Sequence, residues 1–295
     1  MDEILKVIEE ASELGIEHVH YTGGEPLIRK DIIEILRETV NHDIDATLFT
    51  NATLINDEIA RELSALEIFI YTSMDGPSKE VHELVRGPGT WDRFIEGFKK
   101  LLDGGLPIHV NISVNELNWR FIGETVRKAI ELGAYSVSII PAMPVSNALK
   151  YGVYVRPNHL AHALRDAGRV AEELGIVVGV WCVPFVGVVT GSPNLAYGNC
   201  RDWDVMDVTP SGNVVLCDVM GYVVGNVLEL GIEECWRRLK NHPLIVKAEG
   251  PKKVPPCSSC ILNEFCRGGC FARAWLVSGD TGAPDPLCPK VGKLR

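Results

Sequence analysis

Closely spaced cysteines dominate the last third of this 295-residue chain. Eight of the nine cysteines lie there, and seven of them form the patterns C-x11-G-x4-C from Cys200 to Cys217 and C-x2-C-x5-C-x3-C-x17-C from Cys257 to Cys288. Glycine and proline residues lie among them, so short turns can bring the thiols together. Thiolates gathered by short loops bind iron–sulfur clusters or zinc. We therefore expect metal centres in this part of the chain.

Disulfide bonds and zinc binding are the alternatives to iron–sulfur clusters for these cysteines. Disulfide frameworks are typical of short secreted chains, whereas this chain has 295 residues, a charged start and no secretory hydrophobic segment. Zinc is harder to exclude, because the four cysteines from Cys257 to Cys270 are enough for a tetrahedral site. The spacing alone leaves zinc and iron–sulfur binding open. Cys235, beside Trp236 in a helical pattern, is expected in the hydrophobic core.

A second set of polar residues follows three strand-like segments in the first half of the chain. Gly23-Gly24-Glu25-Pro26 follows one segment, Asn51 follows the next, and Asp75 follows the third. Two glycines let a ligand approach the backbone, and a carboxylate can pair with a cation. An ordinary turn followed by a helix cap has the same pattern, so this motif alone does not distinguish a ligand-binding turn from a structural one.

The segments around these motifs alternate between helical and strand-like patterns up to about residue 180. The first helix is predicted over 2–14, where Ile4, Ile8 and Ala11 form an apolar stripe. Strands are predicted over 17–22, 45–50, 68–73, 108–114 and 136–140, and further helices over 31–40, 57–66, 91–103, 118–132 and 157–174. This alternation predicts an α/β fold with a barrel-like parallel sheet. Catalytic residues of such folds lie where the strands end, as these motifs do.

From Cys200 to Cys288 the chain resembles the SPASM domain, the C-terminal extension of one large group of radical S-adenosylmethionine (SAM) enzymes. The resemblance implies two auxiliary [4Fe-4S] clusters, with the chain crossing between them at Cys270. The implied distal ligands are Cys257, Cys260, Cys266 and Cys288, and the implied proximal ligands are Cys200, Cys217 and Cys270. The fourth proximal ligand has no matching position. Cys182, in the apolar strand-like segment 176–183, is a candidate; the alternatives are an open iron site and a buried free cysteine at 182.

The first half resembles radical SAM enzymes, whose GGEP motif binds the amino group of SAM. The residues that carry this resemblance are Thr22-Gly23-Gly24-Glu25-Pro26, Phe49-Thr50-Asn51, Ser73-Met74-Asp75-Gly76-Pro77, His82 to Arg86-Gly87 and Ser113-Val114-Asn115. The SAM-binding residues that it implies are Gly23, Gly24, Glu25, Pro26, Asn51, Ser73, Asp75 and Arg86. Ser73 and Arg86 are expected near the SAM carboxylate or ribose. The two resemblances together cover nearly the whole chain.

One departure from the radical SAM pattern concerns the reactive cluster. Radical SAM enzymes hold it with C-x3-C-x2-C after the first barrel strand, whereas this sequence has no cysteine before Cys182. We therefore expect a partial (β/α)6 TIM-like barrel that lacks its first strand. A fragment or miscalled gene start is favoured, because Glu25 lies in an intact motif; the alternative is a degenerate relative that never cleaves SAM. The predicted organisation is a partial barrel over 1–180, a linker over 181–199 and a small cysteine-rich SPASM domain over 200–295.

The resemblance implies an oxidoreductase or maturase in the complete protein. SAM would yield a 5′-deoxyadenosyl radical, a donor such as ferredoxin or flavodoxin would supply electrons, and the auxiliary clusters would accept the substrate's electron. Asp218, beside Cys217, is a candidate base for the proton released, and a solvated turn residue is the alternative. The implied substrate is a tetrapyrrole or a peptide, and the segment from Cys266 to Ala274 is more similar to the tetrapyrrole branch. The competing hypothesis is a non-enzymatic iron–sulfur electron carrier or scaffold.

Composition argues against other classes of protein. A net charge of −10 and the lack of a basic patch are unfavourable for a nucleic-acid partner. The sequence has no transmembrane candidate, so we expect a cytoplasmic protein without membrane partners. With 46% hydrophobic and 23% charged residues, the chain can bury a substantial core in one large and one small domain.

Overall fold

The computed structural model describes residues 1–202 and 204–291. The strands are β1 (His18–Tyr21), β2 (Asp45–Thr50), β3 (Phe69–Ser73), β4 (Ile108–Val114), β5 (Ser136–Pro141), β6 (Val178–Val180), β7 (Leu195–Tyr197), β8 (Asp207–Val208), β9 (Asn213–Val215) and β10 (Val223–Asn226). The α-helices are α1 (Asp2–Glu13), α2 (Ile32–Asn41), α3 (Asp57–Ala65), α4 (Lys79–Arg86), α5 (Thr90–Asp103), α6 (Ile122–Glu131), α7 (Ser146–Lys150), α8 (Pro157–Leu174), α9 (Val186–Val189), α10 (Val227–Lys240), α11 (Pro243–Ala248), α12 (Asn263–Cys266) and α13 (Phe271–Ser278). Single 3₁₀ turns cover Pro26–Ile28, Trp119–Phe121, Cys200–Asp202 and Cys257–Ser259.

Strands β1 to β7 form one sheet in which they follow each other in chain order. The pairing of β1 with β2, β2 with β3, β3 with β4 and β6 with β7 is parallel. Parallel neighbours need a crossover connection, which the intervening helices provide. The predicted α/β fold with a parallel sheet is therefore confirmed, and β1 lies at one end of the strand order as expected.

The chain divides into two compact units, one of residues 1–112 and 128–137 and the other of 113–127 and 138–295. In the first unit, Ile70 and Thr72 of β3 are buried, whereas Phe69, Tyr71 and Ser73 on the other face are only partly buried. The helix-side core of this unit contains Leu36, Leu48, Leu63, Ile70, Phe94, Phe98 and Leu101, each at most 1% exposed. Each such side chain contributes about 1.5–3 kcal/mol through burial.

The second unit contains the cysteine-rich segment. Helix α8 packs against β6 and β7, with Leu160 and Leu164 buried. Strands β8, β9 and β10 form a small antiparallel sheet in the order β10-β9-β8. Helix α10 packs on β9 and β10 and buries Cys235 completely, as expected for a core cysteine. The segment that follows consists of short helices and turns, which hold the remaining cysteines.

Three segments differ from the sequence-based expectation. The strand predicted over 176–183 ends at Val180, because Cys182 adopts the left-handed conformation with φ of 57°. The segment 181–199, predicted as a linker, contains α9 and β7, and β7 pairs with β6. Helix α4 had no predicted counterpart; it ends at Gly87, whose φ of 95° favours glycine. The domain boundaries at 180 and 200 remain a prediction.

In the described part of the chain, no helix has both the length and the apolar character needed to cross a bilayer.

Candidate functional site

The turn after β1 places a carboxylate at the end of the sheet. Gly23 has φ of 147°, a conformation that side chains rarely adopt, and a Cβ added to Gly24 would meet nothing within 4 Å. Glu25 then caps the 3₁₀ turn Pro26–Ile28, and its Oε1 accepts a hydrogen bond from Leu27 N at 3.2 Å. The glycines therefore leave open space beside the backbone, next to a fixed carboxylate.

The end of β2 holds the same carboxylate from the other side. The Thr50 hydroxyl donates to Glu25 Oε1 at 2.7 Å, and Asn51 N donates to Oε2 at 2.8 Å. Ala52 N donates to Thr50 Oγ1 at 3.1 Å, which orients the hydroxyl toward Glu25. Carboxylate oxygens have further lone pairs, so Glu25 can still accept hydrogen bonds from an ammonium group.

The end of β3 supplies the other predicted SAM-binding residues. Thr50 and Thr72 are paired, so Ser73 at the end of β3 lies at the same edge of the sheet as the end of β2. Asp75 is completely buried, and its Oδ2 accepts a hydrogen bond from Arg86 Nε at 2.5 Å. The Arg86 side chain is 34% exposed. Asp75 thus fixes the guanidinium at this edge, where it could bind an anionic group.

Asn111 of β4 is a residue at this edge that sequence reasoning missed. It lies opposite Ser73, and its buried Oδ1 has no hydrogen-bond partner in the structure. Buried polar atoms normally have partners, so this atom fits a polar ligand bound at the strand ends. The alternation of His109, Asn111 and Ser113 with apolar residues in β4 was the signal that could have revealed it.

His82 of α4 lies beneath the Asp75–Arg86 pair and is 2% exposed. Its ring packs on Phe94 and Trp91, and Asp75 N donates to its Nδ1 at 3.4 Å. Burial lowers the pKa of His82 to about 4, and this effect outweighs the opposing influence of Asp75. The neutral ring is therefore part of the core that supports α4 at neutral pH.

The four cysteines predicted as distal ligands line one cavity. They are Cys257, Cys260, Cys266 and Cys288. Lys290 Nζ, in the same cavity lining, donates to Cys260 Sγ at 3.5 Å. Burial raises the pKa of Cys266 to about 12, so metal binding must displace the proton from this thiol.

A sharp turn separates Cys266 from Cys270. Arg267, Gly268 and Gly269 have φ of 49°, 85° and 89°, so three consecutive residues are left-handed. A Cβ on Gly269 would lie 2.2 Å from the Cβ of Asp285. The turn therefore requires glycine at this position, and it directs Cys266 and Cys270 to different places.

The remaining predicted ligands gather around Cys270. Cys182 and Cys217 pack against the buried cluster that contains Cys270. Burial and the neighbouring Cys270 thiol raise the pKa of Cys200 to about 11. Burial, Asp218 and Cys270 raise the pKa of Cys217. The structure thus brings together the three implied proximal ligands and Cys182.

Arg201 joins the segments that carry the two sets of cysteines. Its guanidinium donates to the carbonyls of Ala248, Cys266, Arg267 and Gly269, at 3.0 to 3.2 Å. Its Nε is buried and has no partner in the structure. A buried N–H donor beside two sets of thiols fits a bound group that accepts hydrogen bonds, as cluster sulfur does.

Asp218, the predicted base, is exposed and directly follows Cys217. The Cys217 thiol donates to Asp218 Oδ1 at 3.2 Å. The carboxylate therefore lies beside an implied proximal ligand, and its role in proton transfer remains a prediction.

The two cysteine sets fit the thiolate ligation of iron–sulfur clusters. Clusters are held by cysteine thiolates, and each set gathers such thiols in one part of the structure. Across 1–202 and 204–291, no three His, Cys, Asp or Glu side chains lie close enough to hold a single metal ion.

Comparison with known families agrees with this arrangement. The model of the radical SAM superfamily matches residues 1–129, and that of the SPASM iron-sulfur cluster-binding domain matches residues 200–261. The chain thus carries a radical SAM domain followed by a SPASM domain. Radical SAM and SPASM domains bind [4Fe-4S] clusters, and the radical SAM domain also binds SAM.

Individual relatives include enzymes with different substrates. The chain is 27% identical to the AdoMet-dependent heme synthase of Methanosarcina barkeri, over 97% of this chain and 86% of that protein. It is 26% identical to the PqqA peptide cyclase of Methylocella silvestris, over 96% of this chain and 77% of that protein. The solved structure of native anSMEcpe with bound AdoMet has a TM-score of 0.72 at 20% identity, covering 92% and 80% of the two chains. This structural match shows that the two chains share a fold.

Proposed function

We propose that the protein, in its complete form, is a radical SAM/SPASM oxidoreductase or maturase that uses two auxiliary [4Fe-4S] clusters. The observation that carries this proposal is the Glu25 carboxylate, which three donors from Leu27, Thr50 and Asn51 hold at the end of the parallel sheet. When bound, SAM and a reduced [4Fe-4S] cluster supply a 5′-deoxyadenosyl radical that abstracts hydrogen from the substrate. A preorganised carboxylate orients the SAM amine for that chemistry.

Other residues of the same edge bind and orient SAM. Glu25 accepts hydrogen bonds from the SAM ammonium group, and the Gly23-Gly24 turn gives the ligand access to the backbone. Arg86, held by Asp75, pairs with the SAM carboxylate, and Ser73, Asn51 and Asn111 provide polar atoms for the ribose. The backbone dipoles and fixed side chains therefore hold SAM in one orientation.

The cysteine-rich segment supports an oxidative outcome. Cys257, Cys260, Cys266 and Cys288 hold the distal cluster, and Cys200, Cys217 and Cys270 hold the proximal one. Asp218 accepts the proton that the substrate releases during oxidation, because it is exposed and adjoins Cys217. Exposed Ile261 and Lys290 beside Cys260 leave the distal end accessible to an electron donor such as ferredoxin or flavodoxin.

The favoured substrate is a haem-type tetrapyrrole, with a peptide as the alternative. The segment from Cys266 to Ala274 resembles the tetrapyrrole branch, and the similarity to a heme synthase also supports a tetrapyrrole substrate. The similarity to a peptide cyclase supports a peptide substrate. The nine cysteines form no disulfide bond in the described part of the chain, and thiols persist in a reducing compartment, so we place the protein in the cytoplasm.

Binding of SAM tests the Glu25 site directly. Calorimetry under anaerobic conditions should show that Glu25→Gln weakens SAM binding at least tenfold, because a hydrogen bond to a charged group contributes about 1.5–3 kcal/mol. The matched control is Glu34→Gln, on the exposed face of α2, which should bind SAM like the wild type. Equal affinity of all three proteins would overturn this assignment.

The reaction is tested on protein isolated anaerobically from the cells that make it. With SAM and a reductant, it should release 5′-deoxyadenosine and oxidise a haem-type tetrapyrrole; oxidation of a peptide instead would select the alternative substrate. Two redox-active clusters without SAM binding or 5′-deoxyadenosine would favour the electron carrier.

A further inference from the structure

Arg273 of α13 and Asp285 form an ion pair inside the cysteine-rich segment. Both side chains are 0% exposed, and two hydrogen bonds join them, from Nη2 to Oδ2 at 2.6 Å and from Nε to Oδ1 at 2.9 Å. Burying two charges is unfavourable unless every polar atom finds a partner. The partners of this pair are therefore informative.

The pair binds the backbone of two cysteines. Asp285 Oδ2 accepts a hydrogen bond from Cys270 N at 2.8 Å, and Arg273 Nη2 donates to the carbonyl of Cys182 at 2.7 Å. Arg273 Nη1 also contacts Met143 Sδ at 3.4 Å. One rigid, bidentate pair thus fixes Cys182 and Cys270, which are 88 positions apart in the sequence, relative to each other.

The backbone of Cys182 is held in a conformation that ordinary residues avoid. Its φ of 57° follows immediately after β6, and a left-handed non-glycine residue persists only where its surroundings impose it. The Arg273 bond to its carbonyl is such a constraint. In this conformation Cys182 packs against the buried cluster that contains Cys270.

We propose that Cys182 is the fourth thiolate ligand of the proximal cluster and that the Arg273–Asp285 pair positions Cys182 and Cys270 to bind it. This inference rests on the proposed function, because it requires a SPASM segment that binds clusters. The Arg273 guanidinium bonds to the backbone carbonyl of Cys182, so the pair acts on the position of this residue through its main chain. The proximal site then has four cysteine ligands, like the distal site.

Replacement of Cys182 tests the ligand assignment. Reconstituted anaerobically, the wild type should hold about eight iron atoms as two [4Fe-4S] clusters. Cys182→Ala should lose up to about half of this iron or change the electron paramagnetic resonance signal of one cluster, while the other signal stays unchanged. The control is Cys235→Ala, which removes a fully buried cysteine of α10 and should leave both signals intact.

The outcomes separate this inference from the proposed function. A wild type without iron, or with zinc instead, would overturn the proposed function itself. Two intact clusters with unchanged iron and unchanged spectra in Cys182→Ala would overturn only the fourth-ligand assignment.

The positioning role of the ion pair has its own test. Arg273→Lys keeps the positive charge but loses the planar fork that bonds to Asp285 and Cys182 together, so it should change the proximal signal and its reduction potential and leave the distal signal unchanged. The double variant Arg273→Met/Asp285→Leu removes both charges, which avoids an unpaired buried carboxylate, and should show the same selective change. Unchanged spectra and potentials in both variants would show that the pair is structural only.

Discussion

Cys266 and Cys270 lie four positions apart, yet they face different sets of thiols. Cys266 lines the cavity that Cys257, Cys260 and Cys288 share, whereas Cys270 belongs to the buried cluster against which Cys182 and Cys217 pack. The left-handed turn between them makes this divergence possible. A short sequence motif can therefore contribute ligands to two clusters.

Alanine variants of these two cysteines should lose different clusters. We expect Cys266→Ala to remove the distal cluster and Cys270→Ala to remove the proximal one, because each thiol belongs to one set only. Electron paramagnetic resonance of the two reduced variants, each with its iron content measured, checks this. Loss of the same signal in both variants would contradict the assignment.

Gly269→Ala should disrupt both cluster sites. The new Cβ would meet Asp285 Cβ at 2.2 Å in a left-handed residue, so the turn must shift. We expect a loss of more than about 2 kcal/mol in stability and a fall in bound iron. The control is Gly279→Ala, also left-handed but with nothing within 4 Å of its Cβ, which should cost only about 1–2 kcal/mol and retain iron. Thermal unfolding and iron analysis of the Gly269→Ala and Gly279→Ala variants check this prediction. Equal loss of stability and equal iron content in both variants would contradict it.

Thr50→Val should weaken SAM binding about tenfold without moving β2. The substitution keeps the shape of the side chain but removes the hydroxyl that donates to Glu25, a bond to a charged group that contributes about 1.5 kcal/mol or more. Thr50→Ser retains the hydroxyl and should bind SAM nearly as well as the wild type. Calorimetry measures all three; a valine variant with wild-type affinity would show that this bond does not matter for binding.

Stability should fall as the pH drops from about 6.5 toward 4, partly because of His82. The unfolded chain takes up a proton at this histidine near pH 6.5, whereas burial lowers the pKa of the folded-state ring to about 4. Unfolding therefore binds an extra proton in this window, which destabilises the fold by up to about 3 kcal/mol at its acidic end. His82→Gln should flatten the dependence of unfolding free energy on pH between these limits. His162→Gln, at an exposed position of α8, is the control, and a slope that His82→Gln leaves unchanged would contradict this cause.

The polypeptide of residues 1–295 alone should not produce 5′-deoxyadenosine. It contains Glu25 for the SAM amine but no C-x3-C-x2-C to hold the cluster that delivers the electron. The measurement is chromatography of reaction mixtures with SAM and dithionite, compared with a mixture without protein. Formation of 5′-deoxyadenosine above that background would show that another set of residues holds a reactive cluster.

The amino-acid sequence by itself determined the alternation of helices and strands, the strand ends that carry Asn51 and Ser73, and the two family resemblances. These features depend on local periodicity and on short motifs, which neighbouring residues encode. The same local logic missed α4, where no strong apolar stripe was recognised, and extended β6 to 183, because the left-handed conformation of Cys182 has no local signature.

The tertiary structure decided which distant residues meet. Glu25 receives its hydroxyl donor from Thr50, 25 positions away, and Arg273 of α13 binds the carbonyl of Cys182, 91 positions away. The spacing of the cysteines left the fourth ligand of the proximal set open. In the folded chain, the buried Arg273–Asp285 pair bonds to the backbone of both Cys182 and Cys270. Such contacts depend on strand register and on the direction of turns. Their energies come from burial and from polar atoms that must find partners once water is excluded, and these conditions arise only when the whole chain has folded.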